Sequence, residues 1–297
     1  MMFWEASGAV ASAIFDALNP VLGRYGVGGD YGSTNTHNAS GLRADGTAWT
    51  SATQCGGEHG PWGATHVGDG DSYTVLFTLN NLDPATETIE RDSPVVLLRK
   101  EHAIDTGGAG TFRGGAANLK DALWLTAGAH YLSPFRTKQP SGVGANGGQA
   151  GPTGAMWLFP PRDDATPGIL GTGTQVYADS VPVAGVLDPE TKALDPIDGR
   201  YHYFAAEQVW ATEPNTILRC LTNGGGGWGD PLRRDPERVL ADVRNEYVSI
   251  AGAARDYGVV VHGDPRLDPE GLRIDREATA RLRDARRSDR PQETGDN

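Results

Sequence analysis

Val95-Val-Leu-Leu-Arg-Lys100 is a short run of strand-forming residues, and it soon gives way to Asp105-Thr-Gly-Gly-Ala-Gly110-Thr-Phe-Arg113-Gly-Gly115. The first stretch suits a pleated, partly buried surface. The second is so rich in glycine that it sustains neither a regular helix nor a filled core. The same alternation recurs from Asp30 to Asn223, where Tyr73–Leu79, Asp121–Leu125 and Gln175–Ala178 are further short runs set between Gly, Pro, Asn and Asp clusters. Short strands punctuated in this way predict a large β-rich body. Pro140–Gly154 is glycine-rich without periodicity, which predicts a long loop of the functional or mobile kind.

Helices flank this body. Ser7–Leu18 places Val10, Ile14 and Leu18 at helical spacing, and Pro20 with Gly23, Gly26, Gly28 and Gly29 is expected to end it. The texture changes again at Asp235. Asp235-Pro236-Glu237 reads as an N-cap, an N1 proline and an acid in the first turn, and Val239, Leu240, Val243 and Tyr247 form one apolar stripe. Ser249 can cap a second helix that ends at Tyr257-Gly258, and Asp275 a third that carries Ala278 and Leu282. The expected fold class is α+β: a β-rich body (1–234) with an N-terminal helix, a small C-terminal helical segment (235–287) and a disordered polar tail (288–297).

Composition narrows the function. The chain has 297 residues, enough for one large domain or two small ones with a substantial core. With 38% hydrophobic and 22% charged residues it is globular, and its 41 Gly and 19 Pro imply many turns. A formal net charge of −12 argues against nucleic acid or an anionic membrane as partner. The Arg281, Arg283, Arg286, Arg287, Arg290 cluster is interleaved with acids and reads as solvated helix surface. Cys55 and Cys220 make no disulfide scaffold or zinc motif, which points to a reducing compartment. No apolar run approaches the ~20 residues of a membrane span. Met1–Phe15 lacks the basic region and cleavage site of a signal peptide. A cytoplasmic protein is expected.

Several motifs invite chemistry. Gly142-Val-Gly-Ala-Asn-Gly147 matches a dinucleotide fingerprint by letter, yet more glycines and Pro152 follow where a helix must start, so a plain loop is expected. Asn223-Gly-Gly-Gly-Gly-Trp228-Gly-Asp230-Pro231 lacks the Lys-Ser/Thr of a phosphate loop. It predicts either a tight crossover beneath Trp228 or a ligand-facing backbone nest. His102 and Asp105 stand three apart, but Val95–Arg99 reads as a strand, and such a strand would send them to opposite faces. His59 and His66 flank Pro61-Trp-Gly63 in a loop with Cys55, Glu58 and Asp69 nearby. Such a loop can place an imidazole in a pocket, although a lone loop histidine more often sits at the surface. No GxSxG elbow occurs.

Taken together, Thr86-Glu-Thr-Ile-Glu90-Arg-Asp-Ser-Pro94, Asp105-Thr-Gly-Gly-Ala-Gly-Thr-Phe-Arg-Gly-Gly115 and the block from Gly224 through Asp230-Pro231, Asp235-Pro-Glu237, Asp242-Val-Arg-Asn245 and Asp256-Tyr-Gly-Val259 resemble signatures of the hydantoinase B/5-oxoprolinase family. The opening helix, Gly32-Ser-Thr-Asn35 and Gly56-Gly57 through Gly63-Ala64 resemble it more loosely. The resemblance implies the C-terminal half of a B-type subunit, split from or missing an N-terminal half, because full members are roughly twice this length. It implies a subunit of an ATP-dependent amidase acting on a small cyclic amide, or of a related ketone carboxylase. A hydantoinase A-type partner would bind ATP and phosphorylate the substrate carbonyl. ATP, magnesium and a divalent metal are expected on partner chains, with no cofactor or metal bound by this one. The family's Asn-Asp-Pro metal element is absent, and His102-x-x-Asp105-x-Gly-Gly belongs to the C-terminal signature, so its metal ligands do not carry over.

The catalytic residues stay open, with His59, His66, Asp105 and Arg113 as candidates. Asp105 and Arg113 are expected to be tied to backbone or to each other, since charge among so many glycines is costly to bury unpaired. A non-catalytic structural module that keeps the fold is the competing reading. The apolar side chains of the first helix, Phe3 to Leu18, exceed what one side of a short surface helix can hide, which predicts an interface.

Overall fold

The computed structural model describes residues 3–29, 36–52, 59–75, 85–139, 141–161, 168–171, 173–203 and 209–288. Cys55, Glu58, Gly32–Asn35, Gly56-Gly57, most of the expected strand Tyr73–Leu79 and the tail beyond Ser288 lie outside them, as do the side chains of Phe3 and Trp4. In chain order the elements begin with α1 (Phe3–Leu22), β1 (Thr36–Leu42), β2 (Ala48–Ala52), β3 (His59–Gly60), β4 (Thr74–Val75) and α2 (Thr86–Asp92). There follow β5 (Val95–His102), β6 (Asn118–Trp124), β7 (Gly128–Ser133), β8 (Ala155–Phe159), β9 (Val181–Leu187), β10 (Arg200–Tyr203), β11 (Val209–Thr212) and β12 (Thr216–Leu221). The chain closes with α3 (Pro236–Arg244), α4 (Ile250–Tyr257), β13 (Val261–His262), β14 (Arg273–Ile274) and α5 (Arg276–Ser288). The class is α+β, with a helix before a β-rich body and helices after it.

Two antiparallel sheets form the body, one ordered β11-β7-β1-β2 and the other β10-β9-β8-β12-β6-β5. Their facing sides share a core in which Trp49, Ala39 and Leu132 of the smaller sheet meet Trp124, Met156, Leu158, Leu218 and Cys220 of the larger. The alternate residues of the same strands, Ala155, Trp157, Phe159, Ile217 and Leu221, point the other way into a second core. The central strands β8 and β12 are therefore buried on both faces, which is why β8 reads as a continuous apolar run and β12 is apolar but for Thr216 and Arg219. Asp121 on β6 is paired from both sides: Arg219 of β12 donates to it in a bidentate pair at 2.7 and 2.9 Å, and Arg99 of β5 reaches it at 2.9 Å.

The first helix ends within the Pro20–Gly29 stretch expected to close it: it runs through Pro20 to Leu22 before a 3-10 turn at Gly23–Tyr25. Proline removes one hydrogen bond, a small loss in a last turn, and Asn19 anchors the exit by bonding both the N–H and the C=O of Val27 at 2.9 Å. Gln175–Ala178 is no strand. Gly173, at φ 100°, turns the chain into a 3-10 helix over Thr174–Tyr177, where buried Val176 and the Tyr177 ring, 4.8 Å from Trp157, cover the outer side of the large sheet.

The C-terminal helices start and stop as their caps dictate. Asp235 accepts from the Glu237 N–H, Ser249 from Gly252 and Asp275 from Ala278, while Gly258 closes α4 in the left-handed conformation at φ 62°. Val239, Val243, Val248, Ala253, Tyr257 and Val259 then form a third core that also takes in Ala109 of the glycine signature.

Candidate functional site

The glycine-rich segments meet in one place. From Gly224 to Gly227 successive N–H groups donate to Pro152, Gly115, Gly29 and Gln149, so three residues turn to three different neighbours and the fourth returns to the segment of the first. That period of three is the repeat of an extended polyproline-like chain. Its carbonyls are taken in turn, Gly225 by Gly108, Gly226 by Ala64 and Gly227 by Ala145. Side chains have no room here: a Cβ on Gly224 would overlap the Thr106 carbonyl and one on Gly226 the Val143 carbonyl. The Asn223–Asp230 run is the crossover expected beneath Trp228, and the 142–154 segment is a loop wrapped around it, with no helix after its glycines.

At the edge of this glycine bundle lies a ladder of rings. His59 stacks on Tyr73 at 4.8 Å, Tyr73 meets His102 edge-on at 6.5 Å, His102 stacks on Tyr247 at 5.7 Å, and the Arg113 guanidinium sits 4.3 Å over Tyr247. Lys100 covers the Tyr73 ring at 5.0 Å. Asn118 holds the ladder together: its Nδ2 donates to the carbonyls of His59 and Ser72, and its Oδ1 is 2.9 Å from His102 Nδ1. His59 is buried and His102 exposed, so His102 Nε2 is the nitrogen not engaged by Asn118.

Beneath the ladder runs an ionic network. Arg113 contacts Asp242 at 3.4 Å and donates to the Gly114 carbonyl at 2.6 Å. Arg234, almost wholly buried, donates to Asp69 at 2.7 and 2.8 Å, to Asp242 at 3.0 Å and to the Thr111 carbonyl at 3.1 Å. Burial alone would raise the Asp69 carboxyl, but the hydrogen bonds and charge of Arg234, helped by the Arg113 N–H, outweigh it and hold Asp69 below the usual carboxylate range. Arg234 shows the converse: burial opposes its charge, and the two carboxylates more than restore it.

Of the candidates read from sequence, His59 and Arg113 stand at opposite ends of the ladder. Asp105, at φ 60°, accepts from the Ser249 N–H at 2.8 Å and the Ser249 hydroxyl at 2.6 Å. Asp105 and Arg113 are thus each tied to the C-terminal segment. His66 is set apart, 5.1 Å edge-on from Tyr25 and 6.4 Å from Trp228. Tyr73, Lys100, Asn118 and Tyr247 escape a site reading of the sequence, and His102 is weighed there only as one half of a pair with Asp105; the available signal is Lys100 and His102 two apart on one strand, hence on one face. Among the described residues no three His, Cys, Asp or Glu side chains come together as a metal site. No described helix is long and apolar enough to cross a membrane.

A second feature is a cleft of about 440 Å³ between α1 and the 136–143 segment, lined by Ser12, Asp16 and Asn19 on one side and Arg136, Lys138 and Tyr201 on the other.

A two-sheet body clasping a glycine bundle, followed by capped helices, is the architecture behind the signatures quoted from the sequence. Residues 1–231 match the family model for Hydantoinase B/oxoprolinase, and the chain belongs to that family. Among curated relatives it is 29% identical over 201 residues to the caprolactamase subunit beta of Pseudomonas jessenii, covering 65% of this chain and 28% of that one. It is 28% identical over 242 residues to the acetone carboxylase alpha subunit of Xanthobacter autotrophicus, covering 77% of this chain and 29% of that one. The matched stretch is thus under a third of either relative. Two solved structures share the fold: the nucleotide-free acetone carboxylase (TM-score 0.65, 20% identity, 88% of this chain and 34% of that one) and the ATP-dependent caprolactamase from Pseudomonas jessenii (TM-score 0.57, 23% identity, 87% and 38%).

Proposed function

We propose that the chain is part of an ATP-dependent cyclic amidase of the hydantoinase/5-oxoprolinase kind, working in the cytoplasm with a hydantoinase A-type partner and further B-type polypeptide. The observation that carries this reading is the match to the caprolactamase subunit beta. Amide resonance makes ring opening slow, and phosphorylation of the carbonyl oxygen by an ATP-binding partner would supply the missing electrophilicity. The ladder supports a role for this chain in the hydrolysis of that activated amide. His102, oriented through Nδ1 by Asn118, offers Nε2 as a base for the attacking water. Arg113, held by Asp242 and Gly114, fixes the Tyr247 ring from behind.

A second reading, a ketone carboxylase subunit, is favoured by the longer alignment with the acetone carboxylase alpha subunit, 242 against 201 residues. The two are separated by assaying the assembled complex for ATP-dependent opening of caprolactam, 5-oxoproline and hydantoin, and for bicarbonate-dependent carboxylation of acetone and acetophenone. Ring opening supports the first reading, and carboxylation alone replaces it by the second. An assembly equally active without this chain reduces it to a structural module.

A further inference from the structure

The cleft between α1 and the 136–143 segment shares no residue with the ring ladder. On α1, Ser12, Asp16 and Asn19 stand at intervals of four and three, which puts them on one face. That face meets the body, while Val10, Ile14 and Leu18 stay exposed on the outer side. Ser12 accepts from Arg136 Nη2 at 2.8 Å, Asn19 bonds Val27, and past the helix end the Gly23 carbonyl accepts from Asn146 at 2.8 Å. Arg136 reaches the helix from a left-handed backbone, φ 54°, a conformation that non-glycine residues rarely hold without a reason. The gap of about 440 Å³ left beside these fastenings has the size of a small-molecule site, ~300–1,000 Å³.

Two opposite charges line this cleft without meeting. Asp16 stands on the helix wall and Lys138 on the other, and neither side chain makes an ion pair or hydrogen bond among the described residues. Lys138 Nζ rests 5.1 Å over the Tyr201 ring. Ser141 lines the same cleft, is only 2% exposed, and its hydroxyl has no partner among the described residues. Ala13, Ala17 and Val143 add small apolar lining. A ligand that suits all of these carries a cation at one end, an anion at the other and an alkyl chain between. We propose that the cleft binds a linear amino acid, with its ammonium on Asp16 and its carboxylate on Lys138 and the Ser141 hydroxyl. Its place in the reaction rests on the reading of the chain as part of a ring-opening assembly. Adding one water across the ring C–N bond leaves a carboxyl on the former carbonyl carbon and an amine on the nitrogen, which ionise to this zwitterion. The cleft is then a product site, and the closed, uncharged ring has neither of the ends it recognises.

The test titrates the full chain at pH 7.5 by calorimetry with 6-aminohexanoate, the ring-opened form of caprolactam. Hexanoate, hexylamine and caprolactam, which lack one charge or both, are the comparison ligands. The amino acid should bind at least ~10-fold more tightly than any of the three. Asp16→Lys and Lys138→Asp should each weaken binding by ~10-fold or more. The two substitutions together should restore it, because the zwitterion can turn round between exchanged charges, whereas a folding defect would not be repaired. Both side chains are exposed, so all three variants should melt with the parent chain. Absence of saturable binding by 6-aminohexanoate overturns the proposal. So does equal binding of hexanoate or hexylamine, or an affinity unchanged in both single variants or unrestored in the double one. A chain that binds the amino acid, in an assembly that opens no cyclic amide, overturns the functional reading alone and leaves the site standing. Ring opening by an assembly whose chain binds no amino acid does the reverse.

Discussion

Arg234→Ala removes a buried cation on which two carboxylates from distant parts of the chain depend. Asp69 lies in the loop after β3 and Asp242 on α3, and Arg234 bonds both while also satisfying the Thr111 carbonyl. Deleting one member of a buried pair costs about 3–5 kcal/mol, since the remaining charge stays desolvated. Some compensation survives: Arg238, half-exposed, still reaches Asp69 at 2.9 Å, and Arg113 stays 3.4 Å from Asp242. The expected loss therefore sits at the lower end, about 3 kcal/mol. At roughly 2–4 °C per kcal/mol for a domain of this size, the Tm should fall by about 6–12 °C. Arg234→Lys should recover little, because an ammonium cannot bond two carboxylates in the guanidinium's planar fork. Thermal melts and urea titrations at pH 7.5 measure both variants. A fall under 2 °C for Arg234→Ala would refute the view that this network fastens the C-terminal helices to the glycine bundle.

Three further outcomes concern buried groups. His37 and His130 share a 3.0 Å hydrogen bond inside the sandwich; burial, then the neighbouring His130, lowers the first, and burial brings the second down to about 4. The folded pair resists protons that the unfolded chain binds below about pH 6.5, so stability is full above that value and is lost as pH falls toward 4, by about 3 kcal/mol for His130 alone. Urea titrations at pH 7.5 and 5 should show the loss, and His130→Leu should flatten it. Gly224→Ala puts a methyl against the Thr106 carbonyl without relief, and a loss of about 3 kcal/mol or more is expected by chemical denaturation. Burial pushes the Cys220 thiol up to about 12, so alkylation at pH 8 with peptide mapping should leave it unmodified until the chain unfolds.

The parts legible in sequence are those set by neighbours in the chain. Asp235, Ser249, Gly258 and Asp275 announce helix ends through local hydrogen bonds, and Val95–Lys100 announces a strand through its own side chains. Gln175–Ala178 misleads because four residues cannot distinguish a strand from a turn, and Gly173 settles the matter through its backbone. The glycine bundle is visible as composition, yet which segments meet around Gly224–Gly227 is decided by contacts that leave no periodic trace. The site is harder still. Arg234 and Asp69 meet across a separation of 165 residues, and His102 gains its ring partners from beside β4 and from the turn after α3. His59 and Arg113 are recognisable as residue types, while the ladder joining them exists only in three dimensions.

If this chain contributes binding and proton-transfer groups to an ATP-dependent ring-opening assembly, the loss of the His102 imidazole must slow the chemical step. Single-turnover ring opening by the assembled complex, carrying either the parent chain or His102→Gln, measures this with ATP consumption followed in the same sample and the pH varied. The hydrolytic step should fall by roughly 100-fold, within the range of a lost general base, with KM little changed and the basic limb of the pH profile altered. A ring-opening rate and pH profile that are the same for His102→Gln as for the parent chain would contradict this role.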